Sequence, residues 1–80
     1  MNRKLSEIAK DIIQHWKNPY FGAKPYIQAM LHINSAEPDA PYLLETAEGI
    51  VAYFLANATT FRGEDAKRIK AELKKQYNIK

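Results

Sequence analysis

Between Trp16 and Tyr26 the chain reads Trp16-Lys17-Asn18-Pro19-Tyr20-Phe21-Gly22-Ala23-Lys24-Pro25-Tyr26, four aromatic residues interleaved with two prolines. Proline inside a helix loses a backbone hydrogen bond and clashes with the turn before it. Asn18, preceding Pro19, is pushed toward extended geometry. Helical periodicity nevertheless runs up to Trp16 and resumes at Ala23. The stretch therefore predicts a tight, aromatic-stapled corner between two helices.

On either side of that corner the apolar spacing is helical. Leu5, Ile8, Ala9, Ile12, Ile13 and Trp16 form one stripe and predict a helix from about Arg3 to Lys17. Ala23, Tyr26, Ile27, Met30 and Leu31 predict a second from about Gly22 to Ile33, with Pro25 admitted only in its first turn. Glu37-Pro38-Asp39-Ala40-Pro41 is a loop whose prolines bar helix until about Tyr42. A third helix is expected from about Tyr42 to Asn57. Its residues Leu43, Leu44, Ala47, Ile50, Val51, Phe54, Leu55 and Ala58 would cover an arc about 140° wide. A fourth is expected from Arg62 or Gly63 to about Tyr77, with Ala66, Ile69, Leu73 and Tyr77 inward and Phe61 stapled against Ala66. No segment reads as a strand. The expectation is an all-α fold, a compact four-helix domain of residues 1–80 with short connections.

A chain of 80 residues has a small core and little margin, and this one has no cysteine. Disulfides and thiolate metal sites are therefore excluded. The amino terminus is basic but leads into an amphipathic segment. The uncharged stretches fall short of the roughly 18 apolar residues that a bilayer requires. The sequence thus reads as a soluble intracellular protein without a membrane role.

Few residues suggest chemistry. His15 and His32 stand near the ends of different helices with no ligand set around them, so they read as boundary histidines. Glu45 and Glu48 resemble an acid–base pair only in spacing and fall on the polar side of the third helix. No nucleophile–base–acid set and no glycine-rich phosphate loop is present. The expectation is no enzyme, no cofactor and no metal.

Charge is more informative. Residues 1–60 carry five Lys/Arg against six Asp/Glu, whereas residues 61–80 carry seven against three. The excess lies on the last helix and just before it, at Arg62, Lys67, Arg68, Lys70, Lys74 and Lys75, the candidate binding residues. Three readings stay open: a solvated face braced by Glu64–Arg68 pairing, a protein-binding face, or a phosphate-tracking face for nucleic acid. The acidic first turn, Glu64 and Asp65, speaks against a groove-reading helix. Nucleic acid is therefore the alternative to a protein partner, whose identity the sequence does not give.

The aromatic residues read mostly as core, with Tyr20, Tyr53 and Tyr42 the best candidates for partly exposed rings. The broad apolar arc of the third helix, backed by the small residues Gly49, Ala52 and Ala56, raises the expectation of a homodimer.

Two blocks, His15-Trp16-Lys17-Asn18-Pro19-Tyr20-Phe21-Gly22-Ala23-Lys24-Pro25-Tyr26-Ile27-Gln28-Ala29-Met30 and the run from Tyr53-Phe54-Leu55-Ala56-Asn57-Ala58-Thr59-Thr60 through Arg62-Gly63 to Leu73, resemble small proteins encoded by bacteriophages and prophages. The segment around Ser35–Tyr42 shows no such likeness. The resemblance implies a phage or prophage origin and the cytoplasm of a bacterial host. It brings no activity with it, and no catalytic or binding residue is carried over. The expected role is a non-enzymatic accessory protein that binds another protein.

Overall fold

The aromatic corner does join two helices, and the second returns alongside the first. The computed structural model describes residues 2–79. Its elements are α1 (Leu5–His15), α2 (Lys24–Leu31), β1 (Pro41–Tyr42), β2 (Glu45–Thr46), α3 (Ala47–Ala56) and α4 (Glu64–Gln76). Helix α1 packs against both α2 and α4, and α3 packs on α2. The whole measures 28 × 26 × 21 Å.

The starts of α1, α2 and α3 each meet the problem of unpaired backbone donors in their own way. At α1 the Leu5 and Ser6 amides donate to the carbonyls of Ser35 and Ile33, and Glu7 Oε1 accepts from the Lys4 amide. The chain leaving α2 therefore caps α1, which holds the two helices antiparallel. Ser6, the buried polar residue at this junction, donates from Oγ to Asn34 Oδ1 at 2.7 Å. Pro25 sits in the first turn of α2, where its missing N–H costs nothing. At α3 the Thr46 hydroxyl accepts from Gly49 N–H, and the Ala47 and Glu48 amides donate to the Ala40 and Pro38 carbonyls.

The core is one cluster drawn from all four helices. Leu5, Ile8 and Ile12 of α1, Ile27 and Met30 of α2, Val51 and Phe54 of α3, and Ile69 and Leu73 of α4 are all buried. Tyr77, just past α4, is fully buried, as the narrow stripe of that helix implied.

Four expectations are corrected. The fold is mostly helical but not all-α: β1 and β2 form an antiparallel hairpin, Pro41 opposite Thr46 and Tyr42 opposite Glu45. Helix α3 consequently starts at Ala47, five residues later than the apolar arc suggested, because Thr46 caps it there. Leu43 and Leu44, placed in the core by that arc, form the two-residue hairpin tip and are 87% and 100% exposed. Ile13, at the edge of the α1 stripe, and Phe21, at the corner, are exposed as well.

Candidate interaction surfaces

Two surfaces stand out, one cationic and one aromatic. On α4 the basic side chains fall into two groups with different surroundings. Arg68 is committed to structure: it donates from Nη1 and Nη2 to the two carboxylate oxygens of Asp11 on α1, and from Nη2 to Asp65 Oδ1. The expected Glu64–Arg68 pair is thus replaced by Asp65–Arg68, one residue along. Arg3 completes the seam with a bidentate pair to Glu72, through Nη2 at 2.6 Å and Nε at 2.8 Å, and a further bond to Asp11.

Asp11 lies at the centre of this seam, its side chain only 13% exposed. Hydrogen bonds from Arg68 lower its pKa most; burial works in the opposite direction, and Arg3 lowers it further. His15 adds Nδ1 at 2.9 Å from Asp11 Oδ1 and Nε2 at 3.5 Å from Asp65 Oδ2. The carboxylates here are taken up by guanidinium groups. Among the described residues no group of three or more His, Cys, Asp or Glu gathers to hold a metal ion.

The other candidate cations are differently placed. Among the described residues Arg62, Lys67, Lys70, Lys74 and Lys75 form no ion pair. Lys70 is half-buried, its Nζ 5.8 Å from the centre of the Phe61 ring. Burial pushes the Lys70 pKa down, and the neighbouring positive charges of Lys74 and Arg62 push it further. Lys67, Lys70 and Lys74, at i, i+3 and i+7, form one cationic edge of α4, with Arg62 beside it.

The aromatic surface centres on the corner and the outer side of α3. Phe21 is 75% exposed, and its ring centroid lies 4.9 Å from that of Tyr20. Gly22 lets the Tyr20 ring and Asn57, the residue that ends α3, both approach the backbone: a Cβ at that position would lie 2.6 Å from Tyr20 Cε2 and 3.0 Å from Asn57 Oδ1. Asn57 donates in turn to the Tyr53 carbonyl. Tyr53 then stacks on Tyr26 of α2, centroids 5.5 Å apart. Ala52 and Ala56 flank Tyr53 on the helix and are exposed, so the small-residue side of α3 faces outward. Its apolar arc, by contrast, is spent on the internal core. Of the three tyrosines expected at the surface, Tyr20 and Tyr53 are exposed and Tyr42 is half-buried.

The charge map explains why these surfaces differ. No Lys or Arg occurs between Lys24 and Arg62, a span that holds Glu37, Asp39, Glu45 and Glu48. The hairpin and α3 are therefore acidic or uncharged, while the cations lie mostly just before α1, at the corner, and on α4 and its approach. That segregation is present in the sequence itself. No family model, curated protein or solved structure matches this chain.

Proposed function

We propose that this chain is a non-enzymatic accessory protein of phage or prophage origin. It acts by binding another protein in the cytoplasm of a bacterial host. The observation that carries the reading is the two aromatic pairs Tyr20–Phe21 and Tyr26–Tyr53, with Tyr20, Phe21 and Tyr53 exposed and the exposed Ala52 and Ala56 on either side of Tyr53 in α3. Exposed tyrosine and phenylalanine side by side is the composition of a protein-binding core. An 80-residue chain with a small core has a reason to bury such rings. Leaving Phe21 exposed therefore points to a role outside the fold. No described helix is long and apolar enough to cross a membrane.

The test is affinity capture from bacterial lysate with nuclease present. It compares the wild type with Phe21→Asp/Tyr53→Asp and with Lys67→Gln/Lys74→Gln. A partner kept by the lysine variant and lost by the aromatic one supports the reading. Loss with the lysine variant alone contradicts it.

A second reading, nucleic-acid binding, rests on the five cations of α4 and its approach that lack ion pairs. Arg68 drops out of that footprint because Asp11 and Asp65 hold it. Five phosphate contacts would give a log–log salt slope of about −4.5 on duplex DNA. A titration at two salt concentrations with no binding at the lower one removes this reading.

A further inference from the structure

The hairpin tip and the groove beside the corner are chemically complementary. The tip projects Leu43 and Leu44, both almost wholly exposed, next to the exposed carboxylate residue Glu45. Leu43 adopts a φ of +56°, in the left-handed region that is costly for a leucine. Glycine or asparagine is the ordinary residue at such a turn position. Two bare leucines in a strained turn are poor choices for a loop whose only task is connection.

The groove lies between the end of α1 and α2 and has a volume of about 430 Å³. That is within the roughly 300–1,000 Å³ range of clefts that receive ligands. Its apolar lining is Ile13, Trp16, Pro19 and Ile27, with the exposed Lys17 and Lys24 at its edges. Neither lysine forms an ion pair among the described residues.

We infer that the groove of one copy receives the hairpin tip of a second copy, Leu43 and Leu44 against the apolar lining and Glu45 toward Lys17 and Lys24. Charge complementarity selects this occupant: the tip belongs to the span without cations, with Glu37, Asp39, Glu45 and Glu48 its charged residues, and the groove belongs to the basic part of the chain. The contact is heterologous, tip to groove, so it closes into a ring or continues head to tail. The groove is lined by none of Tyr20, Phe21, Tyr26 and Tyr53 and by no residue of α4.

The test uses two variants, each broken on one side. Leu43→Ser/Leu44→Asp spoils the tip, and Lys17→Glu/Lys24→Glu spoils the groove edge; all four positions are exposed, and circular dichroism checks that helicity is kept. In sedimentation the wild type should associate at about 10⁻⁴ M, and each variant should associate at least about tenfold more weakly. Mixing the two variants leaves one intact tip and one intact groove, so a 1:1 pair should form and stop there. The emission of Trp16, the single tryptophan, should shift on mixing. Glu45→Lys added to the groove variant should restore association by reversing both charges. A wild type that stays monomeric at that concentration overturns the inference. So does association that both variants leave unchanged, or a mixture that forms no pair.

Discussion

The Trp16 indole lies flat on the Phe61 ring, their centroids 4.9 Å apart and their planes 14° from parallel. This stack ties the corner after α1 to the connection between α3 and α4, two segments with no backbone hydrogen bonds to each other. Phe54 meets the same indole edge-on at 6.3 Å. The corner is thus held from the far end of the chain, and its prolines alone do not fix it.

Removing one ring of that stack should be costly. Phe61→Ala deletes a buried aromatic side chain and should destabilise the fold by about 3–4 kcal/mol. Phe61→Leu keeps most of the volume and should cost less than half as much. Urea unfolding followed by Trp16 emission measures both.

The Asp11 seam makes stability depend on acid. A carboxyl whose folded-state pKa is depressed stabilises the fold fully above its unfolded value of about 3.9. That contribution fades as pH falls through the folded-state pKa. Arg68 is the main cause of the depression. The midpoint of thermal unfolding should therefore drop below about pH 4 in the wild type. It should drop less in Asp11→Asn, which starts lower at neutral pH because Arg3 and Arg68 lose their shared acceptor.

Tyr77 supplies the alkaline counterpart. Burial raises its pKa, Gln76 opposes this by donating to its hydroxyl, and Glu37 and Glu72 add to the rise. A group with a raised folded-state pKa contributes its full stability below the unfolded value of about 10 and loses it as pH rises through the folded-state pKa. Stability should decline above about pH 10 in the wild type. Tyr77→Phe should flatten that decline, as chemical unfolding at pH values on either side would show.

Gly63 enters α4 with φ +112° and ψ −179°, a backbone region that side chains disfavour. Nothing lies within 4 Å of a Cβ built there, so Gly63→Ala loses stability through backbone strain and not through a clash. A loss of about 1–3 kcal/mol in denaturant titration is expected.

The four helices were legible because their apolar residues repeat at helical spacing over at least two turns each. The hairpin was hidden by the same rule: Leu43 and Leu44 extend the arc of Ile50, Val51 and Phe54 in perfect phase, and periodicity alone cannot tell a tip from a turn of helix. The signal that resolves it is Thr46, a strong N-cap residue followed by a helical run. The Arg68–Asp11 pair was not readable at all, since 57 residues separate its members and only the α1–α4 packing joins them. For the candidate surfaces, the basic residues were visible one by one, but which of them is tied down depends on that packing. The aromatic surface was half visible: Tyr20 and Tyr53 lay off the stripes, whereas Phe21 looked like core until the corner turned it outward.

On the proposed function, the aromatic corner, and not the cationic edge of α4, meets the partner. Site-specific photocrosslinking in bacterial cells tests this directly, with a benzophenone side chain placed at Phe21 in one variant and at Lys67 in another. Protein adducts from position 21, with few or none from position 67, are the predicted result. Adducts confined to position 67, whether to protein or to nucleic acid, would contradict it.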